Sequence, residues 1–215
     1  MKSLSLAGMT RVLCLGAHCD DIEIGCGGTM LTLVAGHRDL DVRWVVFSSG
    51  VARKEEALAS AERFLHGAGR SAVTIHDFRD GFFPYDGGAI KEQFEQLKHE
   101  VAPDLVLTHH RHDAHQDHRL VAELTWNTFR NQLILEYEIP KYDGDFGSPN
   151  LFVPLDESVG QEKIHHILES FKTQEAKHWF SRELFMSVLR IRGMEASAPT
   201  PYAEGFYCRK LVLGA

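Results

Sequence analysis

The sequence lacks any apolar run long enough to span a bilayer, which excludes a transmembrane helix. It also lacks a Lys/Arg-rich tract: 23 basic residues stand against 30 acidic ones, for a formal net charge of −7. A general nucleic-acid binder needs a basic face to displace counterions from phosphates, so no nucleic-acid partner is expected. Cysteine is scarce. The four present, Cys14, Cys19, Cys26 and Cys208, show no CxxC spacing, which argues against a disulfide or cysteine-zinc framework and for reduced thiols in the cytoplasm. The weakly apolar stretch before Arg11 is interrupted by that arginine before it could form a signal-peptide core. Absent too are the GxGxxG and P-loop fingerprints of nucleotide binding and the GxSxG elbow of serine hydrolases. An NAD(P)-dependent oxidoreductase and an acyl-enzyme hydrolase both lose their main support.

What is present is an ordinary globular composition, 44% hydrophobic and 25% charged over 215 residues, which fits one compact domain covering 1–215. Apolar runs alternate with helical patterns, the signature of βαβ units. The runs predict strands at 12–16, 41–49, 72–75, 105–107, 133–138, 151–153 and 206–213. The helical spacing predicts a helix at 29–35, entered through a tight Gly25-Cys26-Gly27-Gly28 turn, and others at 53–66, 90–101, 117–130, 158–170 and 176–191. The segment 139–150, rich in Gly, Pro and Asp, reads as a surface loop able to shape an opening. The expected fold class is α/β: a three-layer, Rossmann-like sandwich with a mostly parallel central sheet.

Two polar clusters stand where strands are expected to end, the place where open α/β sheets bind ligands. The first is His18-Cys19-Asp20-Asp21, and the second runs from His109 to His118. Neutral imidazoles and carboxylates suit Zn²⁺, and a catalytic zinc uses three protein groups and keeps one position for water. One His/Asp pair from the first cluster with one histidine from the second supplies such a set. Adjacent aspartates invite a division of labour, in which one binds the metal and the other handles the proton of a water.

Ala17-His18-Cys19-Asp20-Asp21 resembles the AHPDD motif of the LmbE-like, or PIG-L, family of zinc-dependent N-deacetylases. His115-Gln116-Asp117-His118 resembles that family's HxDH motif. The likeness extends to Ser48-Ser49-Gly50, Arg53-Lys54-Glu55-Glu56 and Phe78-Arg79-Asp80-Gly81, so it covers most of 11–130; beyond that it continues loosely through Tyr137-Glu138-Ile139-Pro140. The resemblance implies an enzyme that hydrolyses the N-acetyl amide of a small amino-sugar-containing molecule. It implies His18, Asp21 and His118 as ligands of Zn²⁺, and the same donors accept Fe²⁺ or Co²⁺. It further implies Asp20 as general base, His115 as general acid and Asp117 as the carboxylate that orients a neighbouring histidine. Arg53 and Asp80 match positions that contact sugar hydroxyls. A homo-oligomer is compatible with the sequence, which carries no heptad pattern to specify one.

Departures from the family pattern are local. Cys19 stands where proline is usual, and reads either as a packed thiol or as an oxidisable group beside the metal. Ile22 replaces a frequent glutamate, with Glu23 one step later. His109, His110 and His112 read as neighbours of the site rather than ligands, while Tyr142, Trp179, Tyr202 and Glu204 are candidates for the rim of the opening or for packing. Two other readings stay open: a zinc hydrolase of a different amide or ester, and a metal-binding protein without catalysis. Asp20 and His115 favour an enzyme, since a structural metal site needs neither.

Overall fold

The computed structural model describes residue 5 and residues 8–212. Seven strands form one sheet in the order β3-β2-β1-β4-β5-β7-β6. Strands β1 (Arg11–Gly16), β2 (Asp41–Val46), β3 (Arg70–Ile75), β4 (Leu105–His109) and β5 (Leu133–Tyr137) run parallel. At one edge lie β6 (Leu151–Leu155) and β7 (Tyr202–Cys208), with β7 antiparallel to both β5 and β6. This is the mostly parallel α/β architecture that the sequence pattern predicts.

Successive side chains on a strand point to opposite faces, so β1 sends Val12 and Cys14 into one core and Leu13 and Leu15 into the other. Helices α1 (Asp21–Gly36), α2 (Val51–Phe64), α5 (Glu157–Ser170) and α6 (Arg182–Glu195) cover the first core. The second is covered by α3 (Gly87–Glu100) and α4 (Gln116–Thr128). Leu13 of β1 pairs opposite Val106 of β4. From β1 the chain crosses through α1 to β2, and from β4 it crosses through α4 to β5, on the opposite side and the opposite face. A crevice therefore opens where the connections diverge, at the carboxyl ends of β1 and β4.

Helix α1 departs from expectation. Gly25-Cys26-Gly27-Gly28 is not a turn ahead of a helix but lies inside α1, whose helical dihedrals break at Cys26 (φ −144°, ψ 17°). Close approach explains the glycines: a Cβ on Gly25 would stand 2.2 Å from the Tyr137 ring, and one on Gly28 would stand 2.4 Å from Leu155. The kink releases backbone groups that a straight helix would pair. The N–H groups of Gly28 (2.8 Å) and Thr29 (2.7 Å) and the Thr29 hydroxyl (2.6 Å) donate to the Glu204 carboxylate. Lys163 Nζ donates to the Ile24 carbonyl (2.7 Å) and to Glu204 (2.6 Å). Glu204 thus caps the restarted helix as an anion caps any helix N-terminus. It belongs to the interior, not to the rim of an opening. Trp179 and Tyr202 pack partly buried against the first core, whereas Tyr142 is 75% exposed.

Two further boundaries differ. The last strand runs Tyr202–Cys208 rather than 206–213: its first part pairs with β6 and its last with β5, and residues 209–212 carry neither helix nor strand. Leu213 lies outside the described residues. Helix α6 starts at Arg182 rather than near 176, because Ser181 caps it by accepting the Leu184 N–H (3.2 Å), after a 3-10 turn at Lys172–Gln174. The segment 139–150 carries neither helix nor strand. No helix among the described residues is long and apolar enough to cross a membrane.

Removing one member of a buried ion pair leaves the other uncompensated, so Glu204→Gln is expected to lower the unfolding free energy by about 3 kcal/mol. Lys163→Met should cost less, because Glu204 keeps its donors from Gly28 and Thr29. Urea denaturation of the two variants tests the order; equal losses would remove the capping role from Glu204.

Candidate active site

β1 ends at Gly16, and the chain turns through Ala17-His18-Cys19-Asp20 into α1. Two contacts hold the turn: the Ala17 N–H donates to His109 Nε2 (2.9 Å) at the end of β4, and the His18 N–H donates to Asp21 Oδ2 (2.6 Å). β4 leads into the second polar cluster, where His115 is the N-cap of α4 and its Nδ1 accepts from the Asp117 N–H (3.2 Å). Both turns meet in the crevice between β1 and β4.

Three donor atoms converge there. His18 Nδ1 lies 3.1 Å from His118 Nε2 and 3.3 Å from Asp21 Oδ2, and His118 Nε2 lies 3.6 Å from Asp21 Oδ2. Donors bonded at roughly 2.1 Å in a tetrahedral array stand about 3.4 Å apart, so the triangle fits an ion of the size of Zn²⁺. The other nitrogen of each histidine faces a carboxylate. His118 Nδ1 is 3.0 Å from Asp113 Oδ2, and His18 Nε2 is 3.0 Å from Asp80 Oδ1 and 3.3 Å from Asp117 Oδ2. Such partners fix the tautomer that turns a lone pair toward a metal.

The charge balance also suits a cation. Asp20, Asp21, Asp80, Asp113 and Asp117 surround the site, against Arg53 and Lys141. Burial opposes charge on His18, but Asp21, Asp117 and Asp80 outweigh it and raise its pKa well above the usual imidazole value. Burial, and then His109, lower His118 to about 4, which leaves this ring neutral near pH 7. Burial works to raise Asp21, yet His118, His109 and His18 hold it well below the usual carboxylate range.

Asp20 is placed differently. Its Oδ1 accepts from Arg53 Nη2 (2.7 Å), while its Oδ2 is buried with no hydrogen-bond partner. Burial raises its pKa against the pull of Arg53. The His115 ring packs against His18 (4.9 Å between centroids) and His118 (4.6 Å). Burial, and then His18, lower its pKa. Because Nδ1 receives the Asp117 N–H, the neutral ring carries its proton on Nε2 and can donate from there.

The structure therefore brings His18, His115 and His118 together, with Asp21 beside His18 and His118, with Asp80 and Asp117 beside His18 and His115, and with Arg53 joined through Asp20. Asp117 also accepts the N–H groups of Gly81 (2.6 Å) and Phe83 (3.2 Å), which ties the Asp80 turn to α4. His109 lies beside the triangle: its ring stacks on His118 at 3.9 Å, its Nε2 lies 3.1 Å from Asp21 Oδ2, and with Asp21 and His118 it forms a further group whose donors are close enough to hold a metal ion. His110 turns away to Glu136 (2.9 Å) and stacks on Tyr207. Cys19 is a packed thiol, fully buried against the Ser48 carbonyl (3.4 Å), and burial pushes its pKa to about 12. Glu23 is fully buried with no hydrogen-bond partner on either oxygen, and burial raises its pKa to about 8.

Two residues escaped the sequence reading. Asp113 accepts the His115 N–H (2.7 Å) besides facing His118, and Lys141 Nζ donates to Asp113 (2.9 Å) and Asp145 (2.6 Å). Asp145 in turn accepts the Ala114 N–H (2.6 Å). The segment 139–150 is thus clasped onto the histidine-rich turn. Asp113 could have been suspected from its place in that turn. Nothing in the sequence signals Lys141.

Fold and site together define an α/β protein with a His/Asp cluster, able to hold a metal ion, at the switch point of its sheet. The family described as "PIG-L: GlcNAc-PI de-N-acetylase" matches residues 13–129, a span that holds both clusters, and the chain belongs to that family. Solved structures share the fold. N,N'-diacetylchitobiose deacetylase from Pyrococcus horikoshii is 21% identical, with a TM-score of 0.70 over 93% of this chain and 83% of that one. GalB, the 4-carboxy-2-hydroxymuconate hydratase from Pseudomonas putida KT2440, is 19% identical, with a TM-score of 0.76 over 96% and 99%. The zinc-inhibited form of teicoplanin deacetylase Orf2 is 15% identical, with a TM-score of 0.72 over 92% and 97%. At such identities the likeness is one of fold, and a fold can serve more than one reaction.

A carboxylate behind a ligating histidine sets the ligand's orientation and basicity, so Asp113→Asn is expected to weaken Zn²⁺ retention by about 10–100-fold. Lys141→Met should act in the same direction and less strongly, since Asp113 keeps its N–H donor. Competition against a chromogenic chelator measures both; unchanged affinity in the two variants would separate Asp113 from the metal centre.

Proposed function

We propose that the chain, read as one domain over 1–215, is a metal-dependent amidohydrolase that removes acetyl from the nitrogen of a small amino-sugar-containing molecule. The observation that carries this reading is the triangle of His18 Nδ1, Asp21 Oδ2 and His118 Nε2, with Asp20 and His115 beside it. Membership of the PIG-L family supports the acyl amide as the reacting group. The donor set suits Zn²⁺ and also matches Fe²⁺ or Co²⁺. A zinc-inhibited neighbour of the same fold supports zinc as an ion that such proteins meet.

When bound, the ion supplies Lewis acidity toward an acyl carbonyl and lowers the pKa of a water held beside it. The chain's own residues supply the rest. Asp20 takes a proton from the attacking water through Oδ2, the oxygen that Arg53 leaves open. His115 donates from Nε2 to the oxygen that gains negative charge as the amide carbon becomes tetrahedral. The departing nitrogen receives the proton that Asp20 accepted, relayed through His115, as the C–N bond breaks to leave acetate and a free amine, and both residues return to their starting protonation. Asp117 keeps His115 and His18 in register through its N–H and its carboxylate. Asp80, with its side chain 65% exposed, is assigned to sugar hydroxyls together with Arg53.

A second reading is hydration of a carbon–carbon double bond, which the fold shared with GalB supports. The same ion, base and acid would serve it.

Amine release from a panel of N-acetylated amino sugars, free and glycoside-linked, tests the proposal, with chelated protein as control. Metal-dependent release is expected. Asp20→Asn should keep its metal and lose about 100-fold or more in turnover, whereas His118→Ala should lose both metal and turnover. Full turnover in Asp20→Asn would overturn the base assignment. Bound metal without amine release, together with loss of an enoate chromophore, would favour the hydratase.

A further inference from the structure

We infer that Arg79 selects a substrate that carries a carboxylate on the group attached to its amino sugar; the inference rests on the amidohydrolase reading above. The turn after β3 holds Arg79 and Asp80 side by side and sends them to different partners. Asp80 reaches inward, with Oδ1 3.0 Å from His18 Nε2. Arg79 stays outside and exposed, with its guanidinium carbon over the Phe82 ring, 3.5 Å from the centroid. It makes no ion pair among the described residues, although the chain holds 30 acidic residues.

The turn that presents Arg79 is fixed to α4. Asp117 accepts the N–H groups of Gly81 and Phe83, the Gln116 side-chain amide donates to the Gly81 carbonyl, and Phe83 is buried in the second core. The Phe82 N–H closes the turn on the Arg79 carbonyl (3.1 Å), with Gly81 at a φ of 76° that favours glycine. Arg79 is therefore placed relative to the metal centre by the helix that carries His118.

The Phe82 ring leaves the guanidinium ready to bind. A separation of 3.5 Å fits face-to-face stacking, and a planar cation stacked on a ring keeps the N–H donors of its edge open to an acceptor. The ring also restricts the side chain before a ligand arrives, which lowers the entropy cost of binding. Phe82, itself 37% exposed, acts as that support.

Charge decides what the edge accepts. The cations nearer the metal centre are engaged, Arg53 by Asp20 and Lys141 by Asp113 and Asp145. The carboxylates of the crevice repel an anion that enters without a partner, and Arg79 stands outside them as that partner. A single guanidinium matches the single charge of a carboxylate and can give two N–H groups to its two oxygens. Because Asp80 is assigned to sugar hydroxyls, its neighbour on the exposed side meets what the sugar carries rather than the sugar itself.

Amine release from the carboxymethyl glycoside of N-acetylglucosamine, compared with release from its carboxamide, tests the inference on a pair alike in shape and different in charge. The readout is the ratio of the two kcat/KM values within one preparation, where any loss of folded or metal-loaded protein cancels. The wild type is expected to favour the acid about tenfold, through KM, with a smaller preference at high salt. Arg79→Gln should abolish the preference, while Arg79→Lys, which keeps the charge without the fork, should retain part of it. Phe82→Leu should lower the preference and Phe82→Tyr should restore it. A wild type without a preference, or a preference that survives Arg79→Gln, overturns the inference, and amine release in either case leaves the amidohydrolase reading standing. If neither glycoside is hydrolysed, calorimetric titration of both into the metal-loaded protein reads the same preference as relative affinity. Tighter binding of the acid that Arg79→Gln removes then supports the role of Arg79 and counts against the amidohydrolase reading; equal affinities overturn the inference.

Discussion

Pairing β1 with β4 in the register that sets Leu13 opposite Val106 forces the turns after these strands to emerge side by side. One turn brings His18, Asp20 and Asp21, and the other brings His109, Asp113, His115, Asp117 and His118. The Ala17 N–H on His109 Nε2 then locks one turn to the other at 2.9 Å. Five carboxylates held this close would repel one another without cationic company. Arg53 offsets Asp20 and Lys141 offsets Asp113. The rest of the charge falls to the histidines or to a metal ion, and this crowding is what makes the crevice able to hold a cation.

The kink in α1 serves the same crevice from the other end. Gly25 lets Tyr137 lie against the helix, where its hydroxyl donates to the Leu15 carbonyl at 2.6 Å. The first turn of α1, which carries Asp21, is thereby fitted to β1 and β5 independently of the rest of the helix. The break needs new partners for Ile24, Gly28 and Thr29, and Lys163 and Glu204 supply them. Both lie beyond the residues that match the family, 13–129. The C-terminal part of the chain thus contributes to the site as a brace for its entry helix.

What the sequence disclosed and what it withheld divide along range. The motifs around His18 and His118 were legible because their polar residues sit within a few positions of one another, at the ends of recognisable strands. Lys141 and Glu204 were not, because their roles come from partners far along the chain: Glu204 meets Gly28 across 176 residues, and Lys141 meets Asp113 across 28. The glycines at 25–28 suggested a turn, since composition does not distinguish a residue chosen for its dihedrals from one chosen to admit a neighbouring ring. The order of the strands was equally hidden. Alternating apolar runs predict a parallel sheet, but not that β1 stands beside β4.

Adjacent aspartates are shifted in opposite directions because their neighbours differ. Asp20 and Asp21 are both buried, and burial alone raises the pKa of a carboxyl group. Around Asp21 the imidazoles of His118, His109 and His18 reverse that effect and keep it ionised. Asp20 has Arg53 on one oxygen and no hydrogen-bond partner on the other, so burial prevails and its affinity for a proton rises. Environments that push two like groups apart are how one fold separates an anion that holds from a base that accepts. Here the separation is set by which rings the β1–β4 crevice turns toward each carboxylate, and it comes from the strand order as directly as the ligand triangle does.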